Sequence, residues 1–196
     1  MKKCELCGQK DFIVIDRAKD PDGITKQYYY LERCKTCGLV RVSGDFSYSF
    51  LSKFYTLDYY PEGFVSGLVF DFFSRIRLRK ISRFKRSGDV LDIGCGNGRF
   101  LAACRKKGYG VYGIEGSTAA RKVAKSKGIY VYDKGLPQQD FKAKKFDIIT
   151  LWQVLEHIDD PNRYLGKIKK IIKKDGLLYV GVPNIESTQY KIFRRF

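Results

Sequence analysis

Hydrophobic positions beyond residue 88 gather in short runs separated by polar, mostly basic stretches. Val90, Leu91 and Ile93 form the first run. Gly110-Val-Tyr-Gly-Ile, Gly128-Ile-Tyr-Val-Tyr, Phe146-Asp-Ile-Ile-Thr-Leu-Trp and Gly176-Leu-Leu-Tyr-Val-Gly-Val follow. Short unbroken apolar runs bounded by glycine and polar residues mark buried parallel strands. Helix-compatible stretches lie between them, from Arg99, over 117–127 and over 161–174. Strands alternating with helices predict an α/β fold, a parallel sheet with helices on both faces. Upstream, Phe64, Leu68, Phe72, Ile76, Leu78 and Phe84 recur near helical spacing and predict one long helix over 64–86. Arg75, Arg77, Arg79, Lys80 and Arg83 load its polar side. Phe12-Ile-Val-Ile and Gln27-Tyr-Tyr-Tyr-Leu predict two short strands around a Pro21-Asp-Gly turn.

The chemistry begins where the first buried strand ends. Residues 89–98 read Asp-Val-Leu-Asp-Ile-Gly-Cys-Gly-Asn-Gly. Glycines at 94, 96 and 98 let a ligand lie against bare backbone between a strand and a helix. A dinucleotide fingerprint is G-x-G-x-x-G. Here the pattern is Asp-x-Gly-x-Gly-x-Gly, tighter and led by an acid, Asp92. Glu115 ends the second apolar run, where a carboxylate can accept both hydroxyls of a ribose.

These residues resemble the first motif of the class I S-adenosylmethionine-dependent methyltransferases. The resemblance implies a Rossmann-like domain in which Gly94, Cys95, Gly96 and Gly98 cradle the cofactor. Asp92 then holds its amino end and Glu115 its ribose. Leu151-Trp-Gln-Val-Leu-Glu-His-Ile-Asp-Asp-Pro resembles the segment after the fourth strand in the subgroup that includes the ubiquinone-biosynthesis enzymes. His157, the only histidine, is a natural general base because imidazole titrates near neutrality. The alternative is that it braces the start of the following helix. Trp152 either shapes the adenine pocket or belongs to the core. Glu156 reads first as a solvated helix acid. The segment carries neither an Asn/Asp-Pro-Pro-aromatic run nor a Pro-Cys pair, which disfavours base-amine and cytosine-carbon methylation. Oxygen is the expected methyl acceptor.

A second signal stands at the front. Cys4-Glu-Leu-Cys7-Gly and Cys34-Lys-Thr-Cys37-Gly are two CxxC knuckles. Cys4, Cys7, Cys34 and Cys37 can supply four sulfurs to one tetrahedral Zn²⁺. No signal peptide precedes the first knuckle, so a cytoplasmic, reducing setting is expected and metal is favoured over disulfides. A four-cysteine site has no open position and is structural. The expected organisation is a zinc-ribbon-like region at 1–44, an aromatic linker and basic helix at 45–86, and the cofactor domain at 87–196. Tyr59 and Tyr60 are expected to pack between domains. Taken whole, the chain resembles bacterial methyltransferases linked with sugar, polysaccharide and envelope metabolism.

Composition narrows the partners. The 196 residues carry a net charge of +17, nearly all of it beyond residue 60. Such a field attracts polyanions, including RNA, nucleotide-linked sugars and anionic membranes. No apolar run is long enough to span a bilayer. The expected acceptor is a small molecule, a nucleotide-sugar or a glycan. An RNA methyltransferase and a non-catalytic binding fragment are the alternatives. Class I methyltransferases usually continue past the fifth strand, so the domain is expected to lack its last strands.

Overall fold

The structure, a computed structural model, describes residues 3–19, 28–44 and 64–193. The Pro21-Asp-Gly turn, the 45–62 linker and its Tyr59 and Tyr60 lie outside the described residues. The front carries three antiparallel strands, β1 (Phe12–Lys19), β2 (Tyr28–Cys34) and β3 (Val40–Val42), in that spatial order. A bulge between Val14 and Asp16 interrupts the pairing of β1 with β2.

The larger sheet holds β4 (Asp89–Ile93), β5 (Gly110–Ile114), β6 (Tyr130–Tyr132), β7 (Phe146–Trp152) and β8 (Ile172–Gly181). All pairings are parallel, in the order β6-β5-β4-β7-β8. The helices are α1 (Phe64–Ser82), α2 (Arg99–Arg105), α3 (Thr118–Ser126), α4 (Pro161–Ile171) and α5 (Thr188–Phe193). The class I Rossmann-like α/β fold expected from the sequence is therefore the one observed.

Strand alternation sends side chains to two cores. Val90, Val111 and Ile148 meet Leu78 and Ile81 of α1 and Phe100 and Leu101 of α2. Leu91, Ile93, Ile149 and Leu151 meet Ile168 and Ile171 of α4 on the opposite face. Leu91, Leu101, Ile149 and Ile81 have no exposed surface, and each such side chain contributes on the order of 2 kcal/mol. With both faces covered, the strands have no polar side to present, which is why they read as unbroken apolar runs.

Of the boundaries that differ from expectation, two have a visible cause. The long helix stops at Ser82 rather than continuing to 86. Phe84 N–H and Lys85 N–H both return to the Ile81 carbonyl, and the Tyr109 hydroxyl donates to the Lys85 carbonyl at 2.7 Å. The last strand begins at Ile172, inside the stretch expected to be helical to 174. Ile172 pairs with Phe146, and Lys173 donates to Asp147 at 2.9 Å. Pairing and charge together outweigh continuation of the helix. A register shift between Phe146 and Ile148 absorbs the extra residues.

The order of strands places β5 and β7 on either side of β4. A crevice opens beyond the carboxyl ends at such a reversal, and ligands bind there. The front region also attaches at this end. The Asn162 side chain, in the first turn of α4, donates to the Glu5 carbonyl at 2.8 Å. The Tyr190 hydroxyl, on α5, donates to the Asp16 carboxylate at 2.7 Å.

Gly98 tests the packing directly. Its φ is +77°, and an added Cβ would stand 2.3 Å from the Ile129 side chain. Gly98→Ala is expected to destabilise the fold by about 2 kcal/mol or more, read from urea unfolding midpoints.

Candidate active site

The turn after β4 is built by its own backbone. Gly94, Gly96 and Gly98 all have positive φ, at 73°, 54° and 77°. The Gly94 and Cys95 N–H groups both donate to the Ile114 carbonyl at the end of β5. Gly96 N–H donates to the Glu115 carboxylate at 2.8 Å. The other Glu115 oxygen accepts from Ser117 N–H at 2.8 Å. Glu115 thus joins the turns that follow β4 and β5. Each of its oxygens keeps a lone pair for a further donor.

The glycines are demanded first by the chain. A Cβ on Gly94 would stand 2.4 Å from Val154, and one on Gly98 would strike Ile129. Cys95 turns its sulfur inward, where Gly113 leaves room for it: a Cβ on Gly113 would lie 2.5 Å from Cys95 Sγ. Cys95 is 8% exposed, and burial holds its thiol protonated. Its side chain is a packing element of the turn.

Asp92 lies just below this turn at 3% exposure. The Thr150 hydroxyl on neighbouring β7 donates to it at 2.6 Å. Burial pushes the Asp92 carboxyl up to about 7, against the lowering pull of the Thr150 hydroxyl and the Arg77 charge. Glu115 adds to the upward push. Arg77 comes from α1, where the sequence placed it on the polar side of the helix. It turns inward instead, with its guanidinium 4.9 Å from the centre of the Trp152 ring. Arg77 and Thr150 are therefore parts of the site that the motifs did not reveal. The available signal for Arg77 was its place beside Ser74, Leu78 and Ile81, the inward line of α1.

The Trp152 ring packs edge-on to Phe100 and tilted against Tyr179. Its Nε1–H is buried without a hydrogen-bond partner among the described residues. Gln153 follows with φ 56°, unusual for a residue with a side chain, and its N–H donates to the Gly181 carbonyl at 2.8 Å. This sharp turn lifts the chain off β7 and feeds a 3₁₀ turn at Leu155–His157. His157 sits at the surface of that turn, crowded enough that partial burial lowers its pKa below the usual imidazole value. The same crowding raises Glu156. Asp160 then caps α4 by accepting from Arg163 N–H at 2.9 Å.

The four front cysteines converge. Sγ of Cys4 is 3.6 Å from that of Cys37, and Cys7 stands 3.6 Å from Cys34. All four sulfurs lie within 4.8 Å of one another. Tetrahedral Zn–S bonds of about 2.3 Å require sulfurs spaced close to these values. The two knuckles repeat one geometry. Gly8 and Gly38 N–H groups return to the Cys4 and Cys34 carbonyls at 2.9 Å, with φ of 74° and 76°. Space is open around both glycines, so φ alone demands them. The donor set and its spacing fit a zinc ion.

A parallel five-stranded sheet in this order, with a glycine turn closed on an acid at the next strand tip, defines the class I methyltransferase fold. The chain belongs to the methyltransferase-domain family, whose model matches residues 64–194. It is 36% identical over 106 residues to a ubiquinone biosynthesis O-methyltransferase of Actinobacillus pleuropneumoniae, covering 48% of this chain and 45% of that protein. A protein of the same name from Pelagibacter ubique is 32% identical over 130 residues, covering 57% of this chain and 54% of the relative. The chain thus spans about half the length of the curated relatives it matches. Among solved structures, an amino pentose methyltransferase from Micromonospora echinaspora with SAM bound shares the fold. The TM-score is 0.50 at 16% identity, over 57% of this chain and 50% of that one.

The buried Asp92 has a measurable signature. Its folded pKa is raised, so the folded state binds the proton more tightly than the unfolded chain does. Its stabilising contribution is complete below about pH 4 and is lost as pH rises through about 7. Asp92→Asn is expected to flatten this fall in stability, as read from urea unfolding at a series of pH values. For the front region, elemental analysis is expected to find one zinc per chain. Chelation is expected to lower the thermal midpoint and to abolish the amide-exchange protection of β1 and β2, and Cys34→Ser is expected to do the same.

Proposed function

We propose that this chain transfers a methyl group from S-adenosylmethionine to a hydroxyl oxygen of a small molecule. The observation that carries the reading is the closure of the glycine turn on Glu115, which sets a carboxylate beside bare backbone at the sheet's switch point. In this reading Gly94, Cys95, Gly96 and Gly98 cradle the methionine end through backbone alone. Asp92 holds its ammonium, directly or through water. Glu115 accepts the ribose hydroxyls with the lone pairs its two backbone donors leave over. Trp152 walls the pocket and is held there by Phe100 and Arg77.

The sulfonium of the bound nucleoside supplies an electrophilic methyl group. Methyl transfer is an in-line displacement, so what the protein contributes is chiefly position. The segment lifted off β7 by the Gln153 turn carries His157 at the same end of the sheet. Its lowered pKa keeps the imidazole neutral near pH 7, the form able to take a hydroxyl proton. His157 is the proposed base.

Oxygen is favoured by the relatives, which are named O-methyltransferases. The nucleotide-sugar, glycan and RNA acceptors expected from the sequence rest on resemblance and charge alone, so a small hydroxyl-bearing molecule leads. Four thiolates leave a zinc ion no position for substrate, which assigns the metal a structural role.

Titration calorimetry of the zinc-loaded chain with S-adenosylhomocysteine tests the cofactor assignment. Binding is expected, and Glu115→Ala is expected to weaken it about tenfold or more. Affinity is expected to rise with pH through about 7, as Asp92 ionises to meet the ligand's ammonium. A folded sample that releases no heat removes the reading.

A further inference from the structure

Helix α1 has two unlike faces. Ser74, Leu78 and Ile81 turn inward, at 5%, 8% and 0% exposure. Asp71 pairs with Arg99 of α2 at 3.3 Å, and Arg77 lies over Trp152. These contacts fix which side of the helix meets solvent. At 100° per residue the outer side carries two adjacent stripes, Leu68–Phe72–Arg75–Arg79 and Val69–Phe73–Ile76–Lys80. Leu68, Val69, Phe72 and Phe73 are 57%, 48%, 61% and 51% exposed. The turn after the helix continues the stripes with exposed Arg83 and with Phe84 at 72% exposure.

The outer side is thus divided along its length. Its first half is apolar and its second half is basic, and it bears no acid. The helix has one acid, Asp71, which is occupied by Arg99. Contiguous exposed apolar side chains of this kind mark interaction surfaces. We propose that this side of α1 docks the protein on an anionic lipid surface. Phe72, Phe73, Leu68 and Val69 enter the headgroup boundary, and Arg75, Arg79 and Arg83 meet the lipid phosphates.

Three observations select lipid. The apolar residues are phenylalanine and aliphatic, without the polar tip that suits a wet interface. Leu68, Val69, Phe72 and Phe73 precede the cations along the helix and only Phe84 lies among them, whereas single-stranded nucleic acid needs stacking rings interleaved with positive charge. The net charge of +17 draws the whole molecule to an anionic surface before any side chain inserts. No described helix is long and apolar enough to cross a membrane, and the contact proposed is a peripheral one.

Co-sedimentation of the full chain with vesicles decides the matter, using phosphatidylcholine alone or mixed equally with phosphatidylglycerol. Binding to the mixed vesicles is expected to exceed that to the neutral ones by at least about tenfold and to fall with salt. Phe72→Ser/Phe73→Ser is expected to lose about tenfold in partitioning with an unchanged thermal midpoint, since both rings are exposed. Arg75→Gln/Arg79→Gln is expected to weaken binding and to flatten its salt dependence. Three outcomes overturn the proposal: no preference for anionic vesicles, undiminished binding by the phenylalanine variant, or binding of a uridine homopolymer that this variant loses while vesicles stay unbound. S-adenosylhomocysteine affinity, measured alongside, separates this failure from that of the methyl-transfer reading.

Discussion

The Glu115 carboxylate is the constraint on which the site depends. It accepts one backbone N–H from the turn after β4 and another from the turn after β5. Hydrogen bonds to an ionised acceptor are the stronger kind. Without that acceptor, two N–H groups in crowded turns would lose their partner, and such groups are costly to leave unpaired. The neighbouring chain reinforces it. Arg121 donates to the Glu115 and Gly116 carbonyls at 2.8 Å, and Ser117 caps α3. The acid is preorganised by the same bonds that shape the glycine turn.

Beneath the turn, a second acid is held under opposite conditions. Asp92 is enclosed, with Thr150 as its hydrogen-bond donor and Arg77 as the cation that lowers its cost. Two carboxyl groups a few residues from one turn therefore differ in environment. One is open and backbone-bonded, and the other is dry and finely balanced between its charge states. The balance reaches outward through Arg77 and Trp152 to α1. That helix is consequently tied to the floor of the site by its inner side.

The strand pattern was legible because both sheet faces are covered by helices. Val90, Leu91 and Ile93 could only read as a buried run, and the turn at 94–98 announced itself by its glycines. The CxxC knuckles were legible for a similar reason, since each imposes a local backbone geometry. What the sequence does not display depends on tertiary context. Arg77 looks like any surface arginine until α1 is rotated onto α2 and Trp152. Thr150 is one residue of an apolar strand until register sets it opposite Asp92. The strained Gln153 has no composition signal at all. The early start of β8 reflects Lys173 finding Asp147, a pairing between residues far apart in sequence. The expected reason for the glycines was also incomplete: at Gly94 and Gly98 the nearest obstruction is Val154 and Ile129, side chains of the chain itself.

The front region is attached to the larger domain by polar side chains. Among the described residues, side-chain hydrogen bonds tie it to the larger domain: Asn162 reaches the first knuckle, and Tyr190 reaches Asp16 beside the β1 bulge. Polar tethers of this size are replaceable, unlike an interlocked apolar seam. The four-cysteine unit is held, at these points, by bonds that other side chains could supply. A lineage could exchange the front unit while inheriting the glycine turn untouched, because the bonds that shape that turn come from Ile114 and Glu115 of the larger domain.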